Sequence, residues 1–437
     1  MAARDSHNLE LEMRIFKLIS MYINDFTLSV RNFFIVLGEY PILNEFLLSQ
    51  ALTLPLVSFK STNPRRKCLI VLHLVNVTMV VDTIRTLKLL GKWSGERIIG
   101  KRRPLIAVFS LTHYCNFYCP MCPFGDPDKQ SQIKIANRDD LSTDQWKQIF
   151  DKASKYCVWS IIEGGEPTSR QDFMELVRYL YDIHLPVTLI TNCSLLHTID
   201  PEELKKYIQF ITCSIDSVFE DSYCKVRGVS AQVFRKVMDN LHLLTEHKVP
   251  HYLNSVITKY NTEEFINQSY FDKAKELGSD AVSFTFVEDR SDVEYSLLPD
   301  RQTMVQVCKG ILDYTKKHSS PQVMIPSQYF EQIIQHGRAM FDECGVWKSI
   351  FVNGNGTVLV PCWKFNKPEN TYDLLNQDIE EIWNAPQWDI ARTCHDCQVL
   401  GCIWYSSQPV TTFARNYIKG LSKIIGQRKP ELIEELG

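Results

Sequence analysis

The stretch LIAVFSLTHYCNFYCPMC, residues 105–122, joins a run of aliphatic, β-branched and aromatic residues to a loop with three cysteines. Residues 105–111 read as a strand. Cys115, Cys119 and Cys122 therefore lie at its C-terminal end, spaced Cx3Cx2C, and no further cysteine follows until Cys157. Three thiols are an odd number for disulfides and one short of a closed tetrahedral metal site. They suit a cubane iron–sulfur cluster whose fourth iron is left to an exogenous ligand. A zinc knuckle completed from elsewhere, for example by His113, and buried thiols without chemistry are the competing readings.

Downstream, short apolar runs alternate with helical stretches. Residues 158–163, 187–191, 210–214, 252–257 and 281–287 are the further strands, and 141–156 and 230–247 read as helices, the first with Ser142 as N-cap. Six β/α units in a row imply an α/β fold with a parallel sheet, which right-handed crossovers curl into a partial (β/α)6 barrel of TIM type. Chemistry then belongs at the C-terminal ends of the strands. The second strand ends in Glu163-Gly164-Gly165-Glu166-Pro167, the third in Thr191-Asn192, the fourth in Ser214-Ile215-Asp216-Ser217, and Lys225-Val226-Arg227-Gly228 follows. The glycines permit close backbone approach to a ligand, and a carboxylate such as Glu166 accepts from an ammonium.

The thiol spacing, its place after the first strand and the Gly-Gly-Glu-Pro turn after the second resemble the radical S-adenosylmethionine (radical SAM) superfamily over about residues 104–290. The resemblance implies a 4Fe–4S cluster on Cys115, Cys119 and Cys122, with SAM on the open iron. One electron then cleaves SAM to methionine and a 5′-deoxyadenosyl radical that takes hydrogen from a C–H bond. It further implies that Gly164, Gly165, Glu166 and Pro167 hold the methionine amino group, and that Asn192, Ser214 and Asp216 supply polar contacts, Ser214 and Asp216 to the ribose. Arg227, or else Arg235, would pair with the methionine carboxylate, and Tyr118 would pack near the adenine. Helix capping by the polar strand ends and a surface arginine are the plainer readings.

Residues 349–361 form a hairpin with Asn-Gly turn chemistry, leaving Cys344 and Cys362 at its open end, and 394–402 supply Cys394, Cys397 and Cys402. This pattern resembles the SPASM extension in its shorter, twitch form. It implies one auxiliary 4Fe–4S cluster on Cys344, Cys362, Cys394 and Cys397, with Cys402 spare or a substitute; a structural zinc site is the alternative. The other six cysteines, at 68, 157, 193, 213, 224 and 308, read mostly as core.

The domain plan is a helical N-terminal region to 103, a core at 104–300, a helical connection at 301–343, the Cys-rich domain at 344–408 and a helical tail. Residues 68–81 are an uncharged apolar run too short to span a bilayer comfortably, and 60–103 carry eleven Lys and Arg against Asp82 and Glu96, a net of +9. That composition suits either peripheral contact with anionic lipid or a helical cap with a solvated basic face. The whole chain is nearly neutral, −3 from 48 basic and 51 acidic residues, so no global field favours nucleic acid. Clustered cysteines and the absence of a secretory pattern at the N-terminus point to a reducing, cytoplasmic setting.

Together these features predict a radical SAM enzyme fed by an electron donor such as ferredoxin or flavodoxin. It acts on a membrane-proximal small molecule or lipid precursor, with the auxiliary cluster in electron transfer; a peptide is the alternative substrate. The acidic run 288–292 is placed either to meet a polar substrate group or to lie in a solvated loop. A zinc-bound scaffold is the non-enzymatic reading and predicts colourless protein without SAM turnover.

Overall fold

The structure, a computed structural model, describes residues 103–122, 140–287, 297–340, 344–362 and 372–394, together with Leu89 and Lys92. The chain divides into the units Met1–Lys101 and Arg102–Gly437, and the fold described is that of the second. The apolar and basic stretches before residue 89, the acidic run 288–292, Cys397, Cys402 and the tail lie outside the described residues.

Strands β1 (Ile106–Ser110), β2 (Trp159–Glu163), β3 (Val187–Thr191), β4 (Phe210–Ser214), β5 (His251–Ile257) and β6 (Ala281–Phe286) follow one another in the sheet, each parallel to the next. Helices cross between them: α1 (Thr143–Ser154), α2 (Phe173–Asp182), α3 (Pro201–Tyr207), α4 (Glu220–Arg227), α5 (Ala231–Glu246), α6 (Thr262–Ile266) and α7 (Ser269–Glu276). The six expected strands are present within a residue at each end. Helix α1 starts where its sequence requires. The Ser142 side chain accepts from Gln145 N, and the Gln145 side chain accepts from Ser142 N, a reciprocal capping box.

Register separates two faces, because side chains alternate along a strand and paired residues share a side. Phe109, Ile162, Leu189, Ile211, Leu253 and Phe284 point outward and are fully buried under the helices. Phe109 packs on Phe150 of α1 at 4.7 Å between ring centroids, and Phe284 on Phe265 of α6 at 5.3 Å. The opposite face carries Trp159, Ile161 and Glu163 on β2, Thr188 and Ile190 on β3, Phe210 and Ser214 on β4, and Tyr252, Asn254 and Val256 on β5. All of these remain partly exposed. The inner face of β2–β5 thus lines a chamber that its own side chains do not fill. Trp159 and Phe210 stack across its floor, and Trp159 Nε1 donates to Thr188 Oγ1 at 2.9 Å.

After β6 come α8 (Arg301–Lys317), a short β7 (Gln322–Val323) beside β6, and α9 (Ser327–His336). The hairpin of β8 (Ser349–Val352) and β9 (Thr357–Val358) is present, with β10 (Tyr372–Asp373) and α10 (Ile379–Trp383) beyond it. Its position was not visible in the sequence: β8 lies parallel to β1, which covers the edge that β1 would otherwise present unpaired. Lys152 at the end of α1 reinforces the junction by donating to the carbonyls of Leu374, Leu375 and Gln377 at 2.8, 2.8 and 3.1 Å.

Candidate active site

The thiol loop leaves β1 and is held by the turn after β2. Leu111 N donates to Glu163 O at 2.9 Å, Gly165 N to Thr112 O at 2.8 Å and Glu166 N to Tyr114 O at 2.7 Å, so the ladder continues to the residue before Cys115. A Cβ on Gly165 would lie 2.0 Å from Tyr114 O, and one on Gly164, at φ +134°, 2.4 Å from Thr112 O. The two glycines are therefore required first by close approach to the loop's own backbone, rather than by a ligand. Gly228 does the same from below. It ends α4 at φ +63°, and its Cβ would lie 2.3 Å from Tyr118 O.

The three thiols stand near one another. Cys119 is buried, Cys115 and Cys122 are partly exposed, Cys122 N donates to Cys119 O at 3.0 Å, and Phe117 N approaches Cys115 Sγ at 3.4 Å. Burial pushes the Cys115 thiol up to about 12; the Phe117 amide opposes this, and Glu166 and the other two thiols raise it further. Among the described residues no three His, Cys, Asp or Glu side chains converge at metal-bonding distance. The donor set nonetheless fits a three-thiolate cluster by chemistry, since all three sulfurs come from one short loop and sense one another's charge. His113, the alternative fourth donor, is engaged elsewhere: its Nδ1 lies 3.6 Å from Asp140, whose other oxygen accepts from Thr112.

Three residues expected on the cofactor are committed within the protein. Glu166 is fully buried; its Oε1 accepts from Thr168 Oγ1 at 2.5 Å, Thr168 N at 3.2 Å and Thr191 Oγ1 at 2.8 Å, and its Oε2 from Asn192 N at 2.8 Å. Three of the four donors are on Oε1 and one is on Oε2, so Glu166 ties β2 to β3 and caps the short helix Pro167–Ser169, with Oε2 keeping one acceptor site open. Asp216 and Arg227 pair with each other at 2.7 Å. Asp216 also accepts from Val256 N at 2.7 Å, and the guanidinium reaches Ser214 O and, at 3.7 Å, Cys119 Sγ. Burial works against the Arg227 charge, but Asp216, Cys119 and Tyr223 together more than offset it and its pKa is raised. Asp216 and Arg227 thus stand paired behind the thiol loop. Arg235, the other candidate, is exposed and 3.9 Å from Glu220.

Asn192 donates to Asn116 Oδ1 at 2.8 Å, and Asn116 donates to Ser194 Oγ at 2.9 Å, so the end of β3 grips the thiol loop by a contact that residue type alone did not reveal. Ser214 stands on the inner face at the end of β4, and Tyr118 is 47% exposed on the loop. Of the second set, Cys344 is buried and Cys362 and Cys394 are partly exposed. Leu359 N donates to Phe351 O at 3.0 Å, which carries the hairpin toward its open end, where Cys344 and Cys362 flank it.

Glu163 was quoted in the motif but given no role. It follows Ile161 on the inner face of β2, and a parity count along WSIIE would have found it. Burial alone pushes its carboxyl up to about 7 from an ordinary 4.5. Between those values the folded protein keeps a proton that the unfolded chain has released, so stability falls as pH rises through the window and is level above it. Glu163→Gln is accordingly expected to stabilise the unligated protein by about 1–2 kcal/mol at pH 8, fading toward pH 5, as read by urea unfolding. A gain that does not change with pH would refute the buried charge.

Comparison with known proteins places this geometry. Residues 109–270 match the family model of the radical SAM superfamily. The AdoMet-dependent heme synthase of Methanosarcina barkeri is 30% identical over 186 residues, 42% of this chain and 51% of that protein. The antilisterial bacteriocin subtilosin biosynthesis protein AlbA of Bacillus subtilis is 25% identical over 296 residues, 65% of this chain and 60% of that one. The chain thus spans only half to three-fifths of these two relatives. In fold, Streptococcus suis SuiB bound to S-adenosylmethionine superposes with a TM-score of 0.55 at 18% identity, over 70% of this chain and 72% of SuiB. The cofactors of the matched family are a 4Fe–4S cluster and S-adenosylmethionine, and the thiol loop and its glycine turn both fall within residues 109–270, the part of this chain that is similar to the radical SAM superfamily.

Proposed function

We propose that the protein reductively cleaves S-adenosylmethionine and uses the resulting 5′-deoxyadenosyl radical to take hydrogen from a substrate in the barrel chamber. The observation that carries this reading is the thiol loop at the end of β1, locked to Gly165 and Glu166 directly above a chamber that the strands leave unfilled. Cys115, Cys119 and Cys122 would hold the cluster, which when bound supplies the electron for SAM cleavage. Asn192 and Glu166 fix the loop, Ser214 and Tyr118 remain for the nucleoside, and the aromatic floor of Trp159 and Phe210 excludes water from the reacting C–H bond. Cys344, Cys362 and Cys394, with Cys397 and in part Cys402, are proposed to hold one auxiliary cluster in electron transfer, and a ferredoxin or flavodoxin to reduce the enzyme. Anaerobically reconstituted protein is expected to carry about 8 irons by the arithmetic of two cubanes and, reduced with dithionite, to form 5′-deoxyadenosine slowly without substrate. Iron near four would remove the auxiliary cluster; colourless protein would leave the zinc scaffold.

For the substrate we favour a membrane-proximal small molecule or lipid precursor, on the strength of the apolar run at 68–81 and the +9 stretch around it. The run at 68–81 is 14 residues, too short to span a bilayer comfortably, so the attachment proposed is peripheral; among the described residues no helix is long and apolar enough to cross a membrane. A peptide is the second reading: AlbA serves the biosynthesis of a bacteriocin, and SuiB has also been solved with its precursor peptide SuiA. Flotation separates the two. The lipid reading expects binding to anionic vesicles that weakens with salt and, at roughly 1 kcal/mol per basic residue, falls over a hundredfold when Arg65, Arg66 and Lys67 are neutralised. Flotation with neither neutral nor anionic vesicles would put the peptide first.

A further inference from the structure

The chamber has one ionisable acid that nothing in the site accounts for. Through β1–β6 the inner positions are Ile106, Val108 and Ser110, then Trp159, Ile161 and Glu163, and onward through hydroxyl, amide, aromatic and aliphatic side chains to Ser283 and Thr285. Glu163 is the only Asp or Glu at these positions, and no Lys, Arg or His shares the face. Among the described cations near the site, Arg227 is turned to Asp216, Ser214 O and Cys119, and Arg170 to Asp172 and the carbonyls of Leu111 and Leu141. The neighbouring carboxylate, Glu166, already accepts from four donors. Glu163 pairs with Ser110 across the ladder and immediately precedes the glycine turn that grips the thiol loop, so it sits at the mouth of the chamber beneath the loop.

A carboxylate on a face whose described strand positions are otherwise uncharged is unfavourable until a proton or a cation joins it. A ligand that brings a cationic donor there gains a charge-assisted hydrogen bond in a low-dielectric setting. We propose that Glu163 is the docking group for a primary ammonium that enters the chamber, either the α-ammonium of S-adenosylmethionine or an amine of the substrate. The inference rests on the reading of the chamber as a SAM and substrate site, and it makes Glu163 the chamber's specificity-determining residue.

The test uses anaerobically reconstituted holoprotein, wild type and Glu163→Gln, in equilibrium dialysis with two probe pairs. The pairs are SAM against its deamino analogue, and n-hexylamine against n-hexanol. If the ammonium is that of SAM, wild type prefers SAM over the analogue by roughly tenfold or more, as expected for a hydrogen bond to a charged group, and the variant loses the preference. If it belongs to the substrate, both proteins bind SAM alike, while wild type prefers the amine over the alcohol by a similar factor and the variant does not. The proposal is overturned if wild type shows neither preference, or if the variant keeps whichever one wild type shows. Wild type that does not bind SAM at all defeats the proposed function, whereas the amine pair then still decides Glu163. Iron content checks that the variant is intact; should Glu163→Gln lose iron, Glu163→Met, uncharged and of similar volume, takes its place.

Discussion

Cys119→Ala is expected to abolish formation of 5′-deoxyadenosine by the dithionite-reduced protein and to remove about half of its iron. Of the three loop thiols it is the most buried, at 5% exposure, and its sulfur is the one approached by the Arg227 guanidinium. Two remaining thiols cannot hold three irons. Cys308→Ala is the matched control: Cys308 is equally buried but sits on α8, outside the thiol loop, so the variant is expected to retain iron and SAM cleavage. Near-normal cleavage by Cys119→Ala would mean that the open-iron arrangement does not belong to this loop.

Glu166→Ala is expected to cost about 3–5 kcal/mol of stability, the range for removing one partner of a buried charged network. The carboxylate satisfies Thr168 N, Thr168 Oγ1, Thr191 Oγ1 and Asn192 N, and each buried donor left alone carries its own desolvation penalty of about 1–3 kcal/mol, which water entering the vacated space partly relieves. The loss should spread to the site, because Asn192 also holds Asn116 of the thiol loop. Unfolding and iron content are therefore expected to change together. The sequence alone suggests a different result, weakened SAM binding in an otherwise intact protein. Unchanged stability with a selective loss of SAM affinity would restore Glu166 to the SAM ammonium and leave Glu163 only an amine of the substrate.

Those two outcomes mark the boundary between local and non-local information. Strand runs such as VTLIT at 187–191 and FITCS at 210–214, the Ser142 cap of α1 and the thiol spacing are all written in neighbouring residues, and each appears in the structure where sequence reading puts it. Six alternating units also determined the parallel order, since right-handed crossovers leave few other arrangements. Side-chain partners are another matter. Glu166 reads as a ligand-binding acid until β3 brings Thr191 and Asn192 against it, and Asp216 and Arg227 read as separate cofactor contacts until α4 folds back beneath the loop. Glu163 reads as part of a motif until register puts it on the inner face with no cation beside it. The hairpin at 349–361 could be recognised from its turn, but only the free edge of β1 decided that β8 would join the main sheet. Propensity, capping and spacing act over a few residues and are legible in one chain. Which polar groups neutralise one another, and which is left facing the chamber, depends on burial and on pairings across about 10 to 240 residues, as between Asp216 and Arg227 or β1 and β8, and these exist only once the sheet has assembled.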